Sequence, residues 1–322
     1  HLLSDCERFP TYSHALLKKV VYIIHSCTPE RYLANGQIDP ESGINKQLWE
    51  LLLMIDAAKR ANAAEINLIA PYLPYLRQDK KNGSGQPVGA SLLFETLNVA
   101  GASSVFVLDP HNEQICYTFP GAIDIAYASY VFNYVIREEI GTNNLVVLAP
   151  DVGAYKRAAK YAKIVGDESP VTFGAIGKTR QQDGSINSEG AIRVDVKGKD
   201  IVLVDDIAAT CGTLTTQAKV AKDAGAKRVF AVVTHGLFTG PAVDRIKSSV
   251  IDQVYVTNSV NHHNQVWEEV QREDQDMFRP TMSGSGAWIV LVACSSWKTQ
   301  RAIIRSSSVG ITSIGTEVSS VL

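Results

Sequence analysis

Helix-like and strand-like segments alternate along most of this chain. Residues 45–63, NKQLWELLLMIDAAKRANA, carry apolar side chains at helical spacing, and EINLIAP at 65–71 follows with the pattern of a short strand. The alternation continues with predicted helices at 88–99 and 127–140 and from Gly153 and Thr213, and with predicted strands at 104–108, 145–148, 201–204 and 229–233. Strands separated by helices of this length are typical of parallel sheets with helices on both faces. The sequence therefore predicts an α/β fold.

Two segments of the chain repeat one pattern. AGASSVFVLDPH at 100–111 and AGAKRVFAVVTH at 224–235 share Ala-Gly-Ala, Val-Phe and His at identical spacing. Ala-Gly-Ala alone is also a common turn from a helix into a strand, with the glycine just past the helix end. The additional matches favour two copies of one α/β domain. We expect an N-terminal domain at 1–122, a C-terminal domain at 123–278 and a divergent, partly disordered tail at 279–322.

The composition is that of a soluble globular protein. Hydrophobic residues make up 45% and charged residues 20%, and the formal net charge of -2 provides no general attraction to nucleic acid or anionic membranes. The longest apolar run near the end, 287–294, is far shorter than the roughly 20 residues of a spanning helix. The 5 cysteines contain no CxxC pair, which argues against a zinc site or a disulfide framework. We therefore expect a cytoplasmic protein with no nucleic-acid or membrane partner, and an incomplete N-terminus because the chain begins with His1.

The segment IVLVDDIAATCGT carries the clearest chemistry. Asp205 and Asp206 follow a predicted strand, at the edge of a parallel sheet where ligands bind. After them, small residues let backbone N–H groups approach a phosphate, the hydroxyls of Thr210 and Thr213 add donors, and the next helix offers its positive end. The two carboxylates cannot bind phosphate, but they suit sugar hydroxyls or a magnesium ion. This combination predicts a sugar phosphate as the ligand.

A second segment has no regular pattern. KTRQQDGSINSEG, at 178–190, is polar, contains glycine and has no apolar period. It is predicted to be a mobile loop. Its cations Lys178 and Arg180 would by default be solubilising.

The motifs resemble those of one protein family. IVLVDDIAATCGT looks like the signature that binds PRPP (5-phosphoribosyl 1-diphosphate) in type I phosphoribosyltransferase folds. PYLPYLRQDKK at 71–81, LDPHNEQI at 108–115 and APDVGAYKRA at 149–158 resemble, in order, the ATP loop, the metal-binding histidine segment and the second ligand loop of ribose-phosphate pyrophosphokinases. The resemblance extends from about Phe9 to Asn258. It implies two duplicated phosphoribosyltransferase-like domains, each a mostly parallel sheet flanked by helices.

The resemblance also implies a reaction and a set of site residues. In this family the anomeric hydroxyl of ribose 5-phosphate attacks the β-phosphorus of Mg-ATP, which gives PRPP and AMP for nucleotide biosynthesis. The implied substrates are ATP and ribose 5-phosphate, the implied cofactor is Mg2+, and the implied assembly is a homodimer or homohexamer. The matching positions are Lys178 and Arg180 for catalysis, Phe9, Arg77, Gln78 and Asp79 for ATP, His111 and Asp151 for the metal, and Asp205, Asp206, Thr210, Cys211, Gly212 and Thr213 for ribose 5-phosphate.

The chain departs from the family pattern at several positions. Where the family carries Phe-x-Asp-x-Glu for adenine recognition, this chain has FPTYS, so that Thr11 and Ser13 replace two carboxylates. Ala209 replaces an acid and Ala154 replaces a glycine, but neither change removes a group that must neutralise phosphate. The insertion at 30–43 and the tail do not resemble the family.

Two other functions stay open from the sequence. Thr11 and Ser13 favour a non-catalytic regulatory subunit associated with PRPP synthetase. Four matching site residues oppose it: His111, Asp151, Lys178 and Arg180. A phosphoribosyltransferase that uses PRPP is the other alternative, although such enzymes need only one copy of the domain. Structural roles are the alternative at single residues. His111 alone would be a structural histidine at a strand end, and Cys211 would be a small filler in the loop.

Overall fold

The structure is a computed structural model that describes residues 7–29, 43–166, 170–180, 186–260 and 278–280. These residues fall into two compact units. The first reaches Tyr127 and includes 259–260, and the second runs from Ala128 to Asn258 and includes 278–280. Most of the predicted insertion, the centre of the polar segment and nearly all of the predicted tail lie outside the described residues.

In the described part of the first unit, four parallel strands form one sheet. The elements in chain order are β1 (Val20–Ile24), α1 (Ile44–Arg60), β2 (Glu65–Ala70), α2 (Gly89–Ala100), β3 (Ser104–Leu108), α3 (Glu113–Cys116) and β4 (Ala122–Ala126). The strands lie in the order β1–β2–β3–β4, and each neighbouring pair is parallel. Because β4 pairs with β3 along its whole length, the first unit extends past residue 122.

The core of the first unit lies between this sheet and helices α1 and α2. Leu51 and Ile55 on α1 and Phe94 and Leu97 on α2 are fully buried, and they share one hydrophobic cluster with Leu68 on β2. Their i, i+3 and i, i+4 spacing places them on one face of each helix. This packing fixes the carboxyl ends of β2 and β3, where the predicted ATP loop and histidine segment begin.

The described part of the second unit is a larger sheet flanked by helices. Its elements are α4 (Ser129–Val135) with a π-helical continuation (Ile136–Ile140), β5 (Leu145–Ala149), a 3-10 turn (Val152–Ala154), α5 (Tyr155–Gly166), β6 (Thr172–Arg180), β7 (Ile186–Ile192), β8 (Asp200–Ala208), α6 (Gly212–Asp223), β9 (Arg228–Gly236), α7 (Ala242–Lys247), β10 (Gln253–Thr257) and β11 (Phe278–Pro280). The strand order is β11–β10–β9–β8–β5–β6–β7, and only β6 and β7 pair antiparallel among these described strands. The α/β fold with mostly parallel sheets is thus confirmed.

Several element boundaries differ from the prediction. The segment predicted as one helix at 127–140 is α4 followed by the π-helical turn, which ends where Gly141 adopts a φ of 87°. The strand predicted to end at Val204 continues to Ala208, because its backbone stays paired with β9 as far as Gly236. In the described parts of both units, no helix combines the length and apolar character that a membrane span requires.

The polar segment at 178–190 is not a loop where the structure describes it. Lys178–Arg180 ends β6 and Ile186 begins β7, and the two strands pair with Thr179 opposite Asn187. The loop prediction was wrong for these residues, because pairing between strands satisfies the backbone even where the side chains show no apolar period.

Candidate functional site

Asp205 and Asp206 lie within β8 and not in the loop after it. Asp206 is buried, with its side chain 5% exposed, whereas the Asp205 side chain is 23% exposed. The predicted position at the strand end is corrected, because β8 continues for two residues beyond the pair. Both carboxylates still lie near the carboxyl end of β8, just before the loop that precedes α6. They are therefore close to the predicted phosphate loop in sequence and in the sheet.

Arg157 joins the two aspartates, and sequence reasoning did not single it out. Its Nη1 lies 2.8 Å from Asp206 Oδ1 and 3.3 Å from Asp205 Oδ1. The arginine lies near the start of α5 with its side chain 19% exposed. Charge-assisted pairs of this length are strong when partly buried. The sequence signal was its place in the motif APDVGAYKRA.

The acidic pair is electrostatically strained despite Arg157. Burial, the negative charge of Asp206 and a hydrogen bond with Asp206 raise the pKa of Asp205 well above its usual range, and Arg157 opposes the rise. Asp205 Oδ1 also accepts a hydrogen bond from the backbone N–H of Asp206 at 2.9 Å. Ligand hydroxyls that donate to these carboxylates would favour their charged forms.

We expect Asp205→Asn to make stability less dependent on pH. A carboxyl group with a raised pKa in the folded state contributes stability below its unfolded pKa, and this contribution is lost as pH rises through the folded pKa. The wild type should therefore lose stability as pH rises from about 4 to about 8, and the variant should lose less. Urea unfolding of both proteins across this range measures the difference. Equal pH slopes for the two proteins would contradict the assignment.

The loop between β8 and α6 has the features predicted for binding a phosphate. Thr210 and Thr213 are exposed on either side of the buried Cys211. Cys211 adopts the left-handed conformation, with φ 59° and ψ 9°, and α6 begins at the next residue, Gly212. The loop therefore presents its hydroxyls and the first N–H groups of α6 to solvent, and these groups suit an anion.

Cys211 is a packing residue in this loop. Its side chain belongs to the hydrophobic cluster of the second unit. Burial raises the pKa of the thiol to about 12. The thiolate required for oxidation is therefore scarce at neutral pH. The interpretation as a small filler agrees with these properties.

Arg245 adds a cation beside the same loop. Its Nη1 donates to the backbone oxygen of Thr210 at 2.9 Å. A Cβ atom at Gly212 would lie 3.2 Å from this Nη1, so glycine leaves room for the guanidinium. The residue lies on α7, outside the motifs that sequence reasoning used. Its charge favours an anion at the loop.

The predicted metal ligand of the second unit, Asp151, follows β5. Its Oδ1 accepts a hydrogen bond from the backbone N–H of Ala154 at 3.1 Å. This bond organises the turn that leads into α5, and Ala154 participates only through its backbone. The replacement of the family's glycine by alanine is compatible with the turn.

In the first unit, the predicted ATP loop follows β2. Arg77 and Gln78 are exposed and Asp79 is half-buried. Asp79 Oδ2 accepts a hydrogen bond from Asn112 Nδ2 at 2.7 Å, and Asn112 directly follows the exposed His111. The structure thus brings the ATP loop next to the histidine segment.

For the remaining predicted residues, the structure gives only the exposure or the secondary-structure element. Phe9 is 55% exposed on the first unit, and Thr11 and Ser13 are exposed as well. Lys178 and Arg180 lie in the last part of β6, and their side chains are outside the description. None of these positions tests the roles that the resemblance implied.

Among the described residues, no group of three or more His, Cys, Asp or Glu side chains could hold a metal ion. Magnesium, however, usually keeps several waters and takes only one or two protein carboxylates together with substrate phosphates. Asp151 supplies a carboxylate oxygen of the preferred kind. The donor set therefore fits a magnesium ion that is shared with a phosphorylated substrate.

Comparison with known proteins gives matches in both units. The family described as the N-terminal domain of ribose phosphate pyrophosphokinase matches residues 2–101, and the phosphoribosyl synthetase-associated domain matches residues 189–272. A ribose-phosphate pyrophosphokinase of Corynebacterium efficiens is 39% identical over 229 residues, covering 70% of this chain and 69% of the relative. Ribose-phosphate pyrophosphokinase 2 of Schizosaccharomyces pombe is 42% identical over 221 residues, covering 68% of this chain and 67% of the relative.

A solved structure has the same architecture. The crystal structure of phosphoribosylpyrophosphate synthetase from Mycobacterium smegmatis matches with a TM-score of 0.72 and 29% identity, covering 87% of this chain and 84% of that chain. The architecture and the extent of sequence identity together place the chain in the ribose-phosphate pyrophosphokinase family.

Proposed function

We propose that the protein transfers the β,γ-diphosphoryl group of ATP to O1 of ribose 5-phosphate, giving PRPP and AMP for nucleotide biosynthesis. The observation that carries the proposal is the β8–α6 region, where an acidic pair held by Arg157 precedes an exposed loop at a helix N-terminus. The carboxylates of Asp205 and Asp206 suit the ribose hydroxyls. The segment from Thr210 to Thr213, which runs from the loop into the first turn of α6, suits the 5-phosphate, with Arg245 beside it.

The ATP site belongs to the first unit in this proposal. Arg77 and Gln78 are exposed and available to the nucleotide, and Asp79 is fixed next to the histidine segment. His111 and Asp151 are the proposed protein ligands of Mg2+. When bound, the ion supplies positive charge to the phosphates of ATP. Phe9 offers an exposed aromatic face for the adenine.

The chemical step is a displacement at phosphorus. O1 of ribose 5-phosphate forms a bond to the β-phosphorus, and the bond from that phosphorus to the oxygen bridging the α-phosphate breaks. AMP leaves with this oxygen, and the proton of the O1 hydroxyl is lost to solvent. Negative charge develops on the transferred group, so the chain contributes mainly by positioning and by cations. Lys178 and Arg180 are the proposed source of that positive charge.

The test is a direct assay of both products. Purified protein is incubated with ATP, ribose 5-phosphate and Mg2+, and AMP and PRPP are quantified by chromatography. We expect equal amounts of both products, and no AMP when ribose 5-phosphate is omitted. ATP hydrolysis without PRPP would contradict the proposal.

The same preparation separates the alternatives. A folded protein that binds ribose 5-phosphate or PRPP by calorimetry without turning over ATP would support the regulatory subunit. Consumption of PRPP with a nucleobase would support a phosphoribosyltransferase. Assembly into a homodimer or homohexamer in the cytoplasm completes the proposal, and light scattering after gel filtration measures the assembly.

A further inference from the structure

One side-chain amide joins two loops of the first unit. Asn112 Nδ2 donates to Asp79 Oδ2 at 2.7 Å, and Asn112 Oδ1 accepts from the backbone N–H of Gln114 at 2.9 Å. A carboxylate accepts and a backbone N–H donates, so only this orientation of the amide satisfies both partners. The amide is therefore fixed at both ends.

The two loops carry residues for different parts of the nucleotide site. Asp79 directly follows the exposed residues Arg77 and Gln78 in the ATP loop, and Asn112 directly follows His111 after β3. The partners are 33 residues apart in sequence, so the hydrogen bond is a tertiary contact. Asn112 also caps α3, which fixes the backbone on its own side.

The neighbouring residue of the ATP loop is held by a different element. The backbone oxygen of Gln78 accepts from the N–H of Ala90 at 3.2 Å. A Cβ atom at Gly89 would lie 2.5 Å from Gln78 Oε1, so the glycine gives the glutamine side chain its place against the start of α2. The loop is thus attached to α2 through Gln78 and to the histidine segment through Asp79.

We infer that Asn112 is a positioning residue for the nucleotide. By holding Asp79, it keeps the ATP loop next to His111, so that the groups for the nucleotide and for its metal are presented together. The inference rests on the proposed function. It assigns Asn112 no contact with the reacting atoms, so its loss should act on nucleotide binding more than on turnover.

The first test is Asn112→Ala with steady-state kinetics. Loss of a hydrogen bond to a charged group changes an equilibrium by on the order of tenfold or more, and tenfold corresponds to about 1.4 kcal/mol. We therefore expect the KM for ATP to rise about tenfold, while kcat and the KM for ribose 5-phosphate change less than about twofold. The matched control is Asn98→Ala on the exposed side of α2, which should leave all three constants unchanged. A KM for ATP within twofold of the wild type would overturn the inference.

A polarity swap separates positioning from helix capping. Asn112→Asp keeps a good helix cap but places two carboxylates against each other, so the KM for ATP should rise further than in the alanine variant. Asp79→Asn alone serves as the reference, because Asp79 belongs to the ATP loop. Against that reference, Asn112→Asp restores a hydrogen bond of reversed polarity and should not raise the KM for ATP further. An equal rise in KM from Asn112→Asp in both backgrounds would overturn the inference, because it would show that the two side chains are not coupled.

A binding measurement keeps this test independent of turnover. Calorimetric titration with ATP and Mg2+ reports the affinity even if no PRPP forms. A wild type that binds ATP but makes no PRPP would refute the proposed function and leave the inference testable. Equal ATP affinities of the wild type and Asn112→Ala would refute the inference alone.

Discussion

Replacing Arg157 with methionine is expected to lower the free energy of unfolding by about 3–5 kcal/mol, because removal of one partner leaves buried charge uncompensated. Arg157 contacts both Asp206 at 2.8 Å and Asp205 at 3.3 Å. Methionine keeps much of the side-chain length but removes the charge and the donors. Urea unfolding at neutral pH, followed by circular dichroism, measures the loss. A loss below about 1 kcal/mol would place the arginine among weak surface pairs.

The pH dependence of this loss identifies its cause. Arg157 opposes the rise in the pKa of Asp205, so its removal costs most where that carboxyl group is charged, and the penalty of Arg157→Met should decrease as pH falls. The control is Arg60→Met, which removes an exposed ion pair with Asp56 and should leave stability nearly unchanged at every pH. A penalty independent of pH would point to lost packing and not to electrostatics.

Arg157→Met should also weaken ribose 5-phosphate binding. Without the arginine, Asp205 and Asp206 repel each other and favour protonated forms that accept fewer hydrogen bonds from sugar hydroxyls. Calorimetry at neutral pH tests this result on the folded variant. Arg157→Lys keeps the charge but not the paired N–H donors of the guanidinium. Its affinity for ribose 5-phosphate should therefore lie between those of the wild type and Arg157→Met.

Lys178→Ala is expected to have the largest effect on activity, lowering kcat by about 10³-fold. A single cation at the transferred phosphoryl group contributes on that order in related chemistry. Lys178 lies near the end of β6, in the same unit as the ribose residues, and the resemblance assigns it to the reaction. Formation of AMP and PRPP under saturating substrates measures kcat.

A matched variant controls for loss of positive charge. Lys163 lies exposed in the last turn of α5, so Lys163→Ala makes the same chemical change in the same unit. Its kcat should stay close to that of the wild type. If Lys178→Ala keeps at least a tenth of the activity, the lysine does not act on the developing charge.

Much of this site could be read from short motifs. Asp205, Asp206 and the segment through Thr213 lie where a buried strand gives way to a helix, and local sequence is sufficient to recognise that order. The ATP loop and His111 were likewise placed after strands by pattern alone. The duplication was visible because both copies keep the same turn from a helix into a strand.

Other residues could not be predicted because their roles depend on distant partners. Arg157 is 48 residues from Asp205, and Arg245 is 35 residues from Thr210. Arg245 lies outside the motifs, and the motif that contains Arg157 does not show which side chains the arginine contacts. The β6–β7 pairing was missed for a different reason, since its polar strands show no apolar period and are defined by backbone pairing.

The sequence by itself determined the alternation of elements, the two α/β units and the order of the ligand loops, because apolar periodicity and turn residues act over a few neighbours. Only the tertiary structure decided that β8 extends past its aspartates, that Arg157 compensates them and that Asn112 holds Asp79. These contacts follow from strand register and from packing that brings together residues far apart in the chain. Charge compensation and hydrogen bonding at that range depend on distance in space, which the sequence does not specify.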